Sequence, residues 1–346
     1  MTLNKKIYLI RSNQTNFGGA ENYLSRLSKA LFEENIEHEI IHFSFPKLLP
    51  SWAKAIIFNI YLRIHKGGKF YYSLDRITCA DLYRAGDGVH KVYLSIEKKS
   101  KLNLLHPVYL YLEKHCFNNA NFIIANSKMV REEIINTYNI NPNKISVVHN
   151  GIEFKTIDYK KSFDKLSVEF SIKKSQPIIL FVGSGFKRKG VEEFLEIVSR
   201  IKNSSVKAFI IGKEKNLKYY QNLSKKLKLN DKIIFTGPRN DVDDFYTIGD
   251  ILIFPTHYDP FSNVILEAMY FGNAVFTTKR NGASEVLGKD FIMQEPNDTT
   301  VISMINNLLT NEKLLNAEKI KNKEISRNFS IKKNLNQTLQ IINKFD

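Results

Sequence analysis

Two acidic residues, Asp259 and Glu267, have seven positions between them in the stretch 249–278, which reads GDILIFPTHYDPFSNVILEAMYFGNAVFTT. The pattern predicts that Asp259 lies in a loop and that Glu267 lies in the helix after it. The first N–H groups of a helix bind anions because they lack partners, whereas a carboxylate beside them suits neutral hydroxyls, such as those of a sugar or a ribose. The pair therefore indicates a site for a ligand that has both an anionic group and neutral hydroxyls. The alternative is an ordinary strand–helix–strand unit with one solvated carboxylate and one Glu on the helix surface.

The elements that would hold this pair follow from the hydrophobic pattern. Residues 251–254 form a short apolar run with β-branched side chains, which is typical of a buried parallel strand. A helix is expected to begin near Ser262, whose side chain would cap it, and to end at Gly272. A second strand is expected at 274–277. A ligand of such a unit is expected outside the carboxyl ends of the strands.

A basic pair, Arg188 and Lys189, follows Gly183 and a predicted strand at 177–182. The next helix is predicted over 191–201, so both cations stand just before a helix N-terminus. The helix dipole and the planar guanidinium group both favour a diphosphate at such a position. A solvated basic turn is the alternative interpretation.

Two further segments of the first half combine glycine with polar residues. Gly18 and Gly19 join a predicted strand to a predicted helix, and glycine lets a ligand come close to the backbone. The G-x-G-x-x-G fingerprint is absent, which argues against a nicotinamide site. Asp87 and His90 belong to the segment ADLYRAGDGVH, where a cleft position and a glycine-rich surface turn are both open.

The charge balance of the chain indicates a polyanionic neighbour. Its 346 residues include 51 Lys and Arg against 35 Asp and Glu, which gives a formal net charge of +16. Nucleic acid, an anionic membrane surface and a phosphorylated substrate would all satisfy this charge. Residues 91–117 interleave Lys with aromatic side chains, a pattern that fits single-stranded nucleic acid or a membrane surface. No nucleic-acid-binding motif accompanies them, which favours the membrane.

Length and composition predict two globular domains in a reducing compartment. A chain of 346 residues is too long for one comfortable core. Its two cysteines, Cys79 and Cys116, lie far apart without metal-ligand spacing, which argues against a disulfide or zinc framework. The N-terminus runs from a basic start directly into a strand without a signal peptide, and no stretch approaches the length of a membrane span. We therefore expect a cytoplasmic protein.

The segments described above resemble signatures of the retaining family 4 glycosyltransferases of the GT-B fold. The acidic pair resembles the E-x7-E signature of that family, with Asp259 in place of the first Glu. The Gly-Gly-Ala-Glu run beginning at Gly18 resembles the family's GGAE loop, and residues 85–90 resemble a segment of lipopolysaccharide-core enzymes. Ser184 occupies a position where Arg is more common, so Arg188 is expected to supply that charge.

The resemblance implies an α/β, GT-B protein with two Rossmann-like domains facing across a cleft. An N-terminal acceptor-binding domain is expected over 1–152 and a C-terminal nucleotide-sugar-binding domain over 153–328. The chain would end in a helix, 329–346, that crosses back to the first domain.

The resemblance also implies roles for individual residues. The expected catalytic residues are Asp87, His90 and Asp259, and Gly18 and Gly19 would form the acceptor-side loop. The expected donor-binding residues are Gly183, Arg188, Lys189, Arg239, Phe261, Ser262, Asn263, Val264 and Glu267. No metal is expected, because Asp241, Asp243 and Asp244 stand at a predicted helix start, where carboxylates offset the dipole.

The implied function is the metal-independent, retaining transfer of a hexose onto a lipopolysaccharide core or a related glycan. The donor would be a nucleotide sugar, UDP-glucose, and no further cofactor is expected. The expected partners are a phosphorylated glycolipid or glycan acceptor and an anionic membrane, with no nucleic acid. The protein would lie in the cytoplasm, peripherally on the inner face of the cytoplasmic membrane. Two alternatives stay open: a catalytically weak GT-B subunit that binds nucleotide sugars, and a basic nucleic-acid-binding protein.

Overall fold

The computed structural model describes residues 5–12, 19–46, 48–97 and 103–345. The chain divides into two compact units, one of Met1–Glu153 with Ser330–Asp346 and one of Phe154–Phe329. Each unit contains a six-stranded sheet in which every pair of neighbouring strands is parallel. The prediction of two Rossmann-like α/β domains is therefore confirmed.

The first unit alternates strands and helices around the sheet order β2-β1-β3-β4-β5-β6. Its elements in chain order are β1 (Ile7–Ile10), α1 (Gly19–Glu33), β2 (His38–Ile41), α2 (Ser51–Ile64), β3 (Phe70–Ser73), β4 (Leu82–Ala85), α3 (His90–Glu97), α4 (Leu105–Asn119), β5 (Phe122–Ala125), α5 (Lys128–Tyr138) and β6 (Ile145–Val147). The strands are short and apolar, and separate hydrophobic clusters cover the two faces of the sheet.

The second unit repeats the arrangement with the order β12-β11-β10-β7-β8-β9. Its elements are α6 (Tyr159–Phe170), β7 (Ile178–Val182), α7 (Phe186–Lys189), α8 (Val191–Ser199), β8 (Lys207–Ile211), α9 (Leu217–Lys226), β9 (Ile233–Gly237), α10 (Val242–Ile248), β10 (Ile251–Phe254), α11 (Asn263–Tyr270), β11 (Ala274–Thr278), β12 (Ile292–Met293), α12 (Val301–Thr310) and α13 (Glu312–Ser326). All residues of β7, β10 and β11 are buried, as expected for central strands covered on both faces.

The last helix, α14 (Ile331–Ile342), belongs to the first unit. Its residues Leu335 and Leu339 are buried in the same hydrophobic cluster as Leu27 of α1. The side chain of Asn334 accepts a hydrogen bond from the Tyr23 hydroxyl at 3.0 Å and donates one to the carbonyl of His149 at 2.6 Å. These contacts tie the end of the chain to the first sheet.

Two local predictions need correction. The segment FYYS was given no element, yet it forms β3, which pairs with β1 and β4 at the centre of the first sheet. Helix α1 spans Gly19–Glu33, so Gly19, expected in the loop before the helix, is its first residue. None of the helices in the described ranges has the length and apolar character needed to cross a bilayer.

Candidate functional site

The loops after β7 and β10 meet because these two strands are neighbours in the second sheet. Strand β7 leads through Gly183 into the one-turn helix α7, which carries Arg188 and Lys189. Strand β10 leads into residues 255–262 and then into α11. The basic pair and the acidic loop residue, 70 positions apart in the sequence, thereby lie side by side.

Lys189 and Asp259 form a buried ion pair at this meeting point. Their side chains are 13% and 9% exposed, and the ammonium group donates directly to the carboxylate. The Ser262 hydroxyl donates to the same carboxylate at 2.7 Å, and the backbone N–H of Phe261 donates to its other oxygen at 3.2 Å. The guanidinium of Arg188 lies 3.7 Å from Asp259 Oδ2. One carboxylate therefore faces two cations and two neutral donors.

The electrostatics of this pair favour the ionised form of Asp259. Burial alone would raise the pKa of Asp259, but the adjacent Lys189 and Arg188 cations hold it below its usual value. Burial lowers the pKa of Lys189, and the attraction of Asp259 opposes that shift. Because Arg188 and Lys189 share the single carboxylate of Asp259, the three side chains together carry a positive charge near the end of β7.

Backbone contacts fix the basic turn against the loop after β10. The carbonyl of Arg188 accepts a hydrogen bond from the backbone N–H of His257 at 2.9 Å, and its guanidinium donates to the carbonyl of Tyr258 at 2.8 Å. At Gly190, φ is +82°, and a Cβ atom would lie 1.9 Å from the carbonyl oxygen of Pro255. Only glycine allows the two loops to approach this closely.

The prediction that Ser262 caps α11 through its side chain is wrong. Ser262 does occupy the N-cap position, but its side chain makes no capping hydrogen bond, because the hydroxyl donates to Asp259 instead. The backbone N–H of Ser262 instead donates to the side-chain oxygen Oδ1 of Asn281 at 3.2 Å. The same Oδ1 atom accepts a second hydrogen bond, from the backbone N–H of Ala283, at 3.1 Å. The sequence analysis missed Asn281, which lies beyond β11 and has no motif to mark it.

The remaining donor-binding candidates of this unit line the same region. Phe261 is 4% exposed, and Asn263 and Val264 are the first two residues of α11. Glu267 is the fifth residue of that helix and is partly buried. Gly183 follows β7 directly, with the Phe254 ring 3.3 Å from the position that a Cβ would take.

Arg239 is not brought together with this group. It follows β9, the edge strand, which β8 separates from β7. Its guanidinium donates to Glu169 at 2.6 and 2.9 Å and to Asp241 at 2.8 Å through both Nε and Nη2. These bonds hold the pKa of Asp241 well below its usual range. The contact of Arg239 with the nucleotide stays a prediction.

A second polar cluster lies in the first unit, where the neighbouring strands β1, β3 and β4 end. Asp87, in the loop after β4, is 45% exposed and lies 3.7 Å from Arg11 and 3.8 Å from Arg76. Arg11 follows β1 and also binds Asp75 at 2.7 Å and Glu21 at 3.0 Å. The structure thus holds Asp87 between two guanidinium groups that the sequence analysis had not singled out.

His90 is the first residue of α3 and is 9% exposed. Its Nε2 atom lies 3.2 Å from Nδ1 of His106. Burial, together with the positive charge of Arg76, lowers the pKa of His90 to about 4, so the imidazole is neutral at physiological pH. Of the two loop glycines, Gly18 lies outside the described residues. Gly19 opens α1, and among the described residues no heavy atom outside its own helix turn and chain neighbours lies within 4 Å of the position that a Cβ would take.

Both units match models of glycosyltransferase families. One described as Glycosyltransferase Family 4 matches residues 86–155, and one described as Glycosyl transferases group 1 matches residues 162–325. An uncharacterized glycosyltransferase of Methanocaldococcus jannaschii is 29% identical over 171 residues, which are 48% of this chain and 44% of that protein. The chain spans about half the length of the first curated relatives it matches.

Solved structures share the whole fold. The crystal structure of WaaG, a glycosyltransferase involved in lipopolysaccharide biosynthesis, superposes with a TM-score of 0.80 at 18% identity, over 97% of this chain and 99% of that one. Anabaena HepE in complex with UDP superposes with a TM-score of 0.76 at 17% identity, over 98% of this chain and 100% of that one.

Proposed function

The chain has the fold of the GT-B glycosyltransferases and matches glycosyltransferase family models in both of its units, and on this premise we propose that it is a retaining glycosyltransferase of family 4. It would transfer a hexose from a nucleotide sugar, UDP-glucose, to a lipopolysaccharide core or a related phosphorylated glycan. The observation that carries the proposal is the pair of cations, Arg188 and Lys189, held where β7 and β10 end.

The donor would bind through its diphosphate at this basic turn. The carboxyl ends of parallel strands are where open α/β sheets bind ligands, and Arg188 is 34% exposed there. A phosphate that approached would compete with Asp259 for Lys189. The exchange of one anion for another on Lys189 keeps the buried ammonium paired throughout. Glu267, on the adjacent helix, would accept hydrogen bonds from the ribose hydroxyls. A protein of the same fold, HepE, has been solved with UDP.

The basic turn would also promote the chemical step. The diphosphate gains negative charge as the bond to the sugar breaks, and fixed cations in a water-poor site stabilise that charge. This is the role that a metal plays in other transferases, and the proposal therefore needs none. The acceptor hydroxyl would attack from the side that the diphosphate leaves, and its proton would pass to the leaving phosphate oxygen. Asp87 would orient the acceptor, and the neutral His90 would act as a hydrogen-bond partner.

Asp259 has two roles in this scheme. Its carboxylate keeps Lys189 charged and in place before the donor arrives, because an unpaired buried ammonium loses its proton. Once Lys189 turns to the diphosphate, the carboxylate would be released towards the hydroxyls of the transferred sugar. Aspartate is one methylene shorter than the Glu of the family signature, and a water could bridge the remaining gap.

We extend the proposal to peripheral attachment on the inner face of the cytoplasmic membrane. Helix α2 contains no acidic residue and exposes Trp52, Ile60 and Ile64, which are 37%, 50% and 73% exposed. Such a helix suits a membrane surface. The basic and aromatic stretch 91–117 adds charge, although its residues 98–102 lie outside the described part of the chain.

Vesicle sedimentation tests the membrane attachment. Each Lys near an anionic surface contributes about 1 kcal/mol, so the protein should bind anionic vesicles and not neutral ones, and salt should release it. Equal binding to both vesicle types would assign the attachment to apolar insertion. Binding to neither type would refute it.

A calorimetric screen of nucleotide sugars, followed by a transfer assay with the ligands that bind, tests the proposed activity. A second candidate, a GT-B subunit that binds the donor without turnover, is favoured by one observation: Lys189 and Ser262 already occupy the Asp259 carboxylate. Binding with turnover supports the transferase, and binding with none after trial of glycan acceptors supports the subunit. Salt-sensitive binding of nucleic acid without any binding of nucleotide sugars would refute both.

A further inference from the structure

We propose that Arg76 and Glu113 are positioning residues that hold the loop 85–90 in the shape its function needs. The inference rests on the proposed transferase activity, in which Asp87 and His90 of this loop meet the acceptor. Neither residue belongs to a sequence motif. Both are side chains of the first unit that reach the loop from other elements, Arg76 from the segment after β3 and Glu113 from the middle of α4.

Glu113 holds the end of the loop. Its carboxylate is 0% exposed and accepts hydrogen bonds from the backbone N–H groups of His90 at 2.6 Å and Lys91 at 3.2 Å. These are the first two residues of α3, whose initial N–H groups have no partner within the helix. The carboxylate thus caps α3 from a different helix. It also accepts a hydrogen bond from the Tyr138 hydroxyl at 2.8 Å.

Arg76 holds the middle of the loop. Its side chain is 10% exposed, and its Nε atom donates to Glu113 at 2.9 Å. Its Nη2 atom donates to the carbonyl oxygen of Gly88 at 3.0 Å, and its Nη1 atom lies 3.8 Å from the Asp87 carboxylate. A single guanidinium therefore contacts the buried acid, the loop backbone and the exposed acid of the loop.

The cost of the arrangement argues that it serves the loop. Burying an ion pair is often no better for stability than filling the same space with hydrophobic residues. Yet the polar contacts of Glu113 and Arg76 converge on residues 87–91, with Tyr138 as the additional donor. The pair fixes both the backbone that carries His90 and the direction of Asp87.

The arrangement also leaves Asp87 as an exposed carboxylate beside the buried pair. Arg76 and Glu113 are buried, His90 is neutral and in contact with His106, and Asp87 is 45% exposed between Arg11 and Arg76. An acceptor hydroxyl would therefore meet an oriented carboxylate whose position depends on the buried pair.

The test compares three variants of the full-length protein. Glu113→Gln removes the buried negative charge at constant shape, and Tyr138→Phe removes one donor while leaving both charges of the pair. The matched control is Asp81→Asn. Asp81 also binds a cation, Lys66 at 2.9 Å, and a backbone N–H, that of Tyr71 at 2.7 Å, but it stands at the opposite end of β4.

Two readouts are measured. Hydrogen–deuterium exchange at the backbone amides of His90 and Lys91 reports how firmly Glu113 binds the loop. Steady-state kinetics distinguish an effect on the acceptor from an effect on the donor. We expect Glu113→Gln to speed exchange at both amides and to lower kcat/KM for the acceptor by about 10- to 100-fold, the loss typical of a misplaced reacting group. The donor KM should stay near that of the wild type. Tyr138→Phe should act in the same direction but more weakly, and Asp81→Asn should change neither readout.

The opposite results would overturn the inference. These are unchanged exchange at the two amides in both Glu113→Gln and Tyr138→Phe, or a rise of donor and acceptor KM by the same factor. If Glu113→Gln fails to fold, Tyr138→Phe decides by the same criteria. If the wild-type protein transfers no sugar at all, the proposed activity fails, and the exchange measurement alone decides whether the pair holds the loop.

Discussion

Replacing Asp259 with Asn should expose the electrostatic cost of the buried Lys189 ammonium. The substitution keeps the shape of the side chain and removes the carboxylate that pairs with this cation. Breaking a buried ion pair on one side costs about 3–5 kcal/mol of folding stability. The loss of stability also has an upper limit, because Lys189 can release its proton instead of staying charged without a partner. Neutralising a lysine of usual pKa 10.5 at pH 7 costs about 1.36 × 3.5, or about 4.8 kcal/mol.

The loss of stability in Asp259→Asn should depend on pH. In Asp259→Asn the folded pKa of Lys189 falls further below its unfolded value, so the unfolded state binds more protons at pH 7 and the folded state is disfavoured. Raising the pH towards 10.5 removes the difference in bound protons. The deficit relative to wild type should therefore shrink between pH 7 and pH 9, by up to about 2.7 kcal/mol.

Urea denaturation of four proteins measures the effect: the wild type, Asp259→Asn, Lys189→Met and the double variant. The double variant has no buried charge at this position, so its loss should be smaller than the sum of the two single losses. We expect a coupling energy of about 2–3 kcal/mol. Additive single losses, or a deficit in Asp259→Asn that does not change with pH, would refute the buried pair.

Three further predictions follow from the two polar clusters. Arg188→Ala should weaken binding of UDP in calorimetry by about 1.5–3 kcal/mol, the range for a charged hydrogen bond, whereas the surface variant Lys313→Ala should bind normally; equal affinities would remove Arg188 from the diphosphate site. Glu267→Gln should raise the donor KM more than it lowers kcat, because a ribose contact is the same in the ground and transition states; a fall in kcat alone would contradict this role. His90 faces Arg76, Glu113 and His106, and it should destabilise the fold by about 1–2 kcal/mol as the pH drops from 6.5 towards 4, because its imidazole binds a proton in the unfolded state but not in the folded state. In His90→Asn this part of the pH dependence of urea unfolding should disappear. An unchanged profile would show that another group causes it.

The sequence predicted the elements of the second unit better than the contacts between them. The apolar run of β10 and the left-handed Gly272 after α11 are local signals, and the structure has both elements where they were expected. The direct pairing of Lys189 with Asp259 is not local. It depends on β7 and β10 being neighbours in the sheet, although two strands separate them in the sequence.

Side chains with several available partners were the hardest to assign. Ser262 was expected to cap α11 because Ser is common at that position, but the charged Asp259 is the stronger acceptor within reach of its hydroxyl. Glu113 lies in the middle of α4, where a surface position is the usual expectation for Glu, and only the tertiary packing of α4 against the loop buries it. Strand β3 was missed because FYYS has neither an alternating pattern nor the β-branched apolar run that marks β10.

The most direct measurement follows the anomeric signals of UDP-glucose and of the product by proton NMR, with the wild-type protein and a glycan acceptor. The proposed activity predicts that the wild type consumes the donor and forms an α-linked product, since the α configuration of the donor is retained. Lys189→Ala should leave the donor signal unchanged over the same period. A β-linked product would contradict retention, and a donor that stays intact with every nucleotide sugar and acceptor tried would contradict the transferase itself.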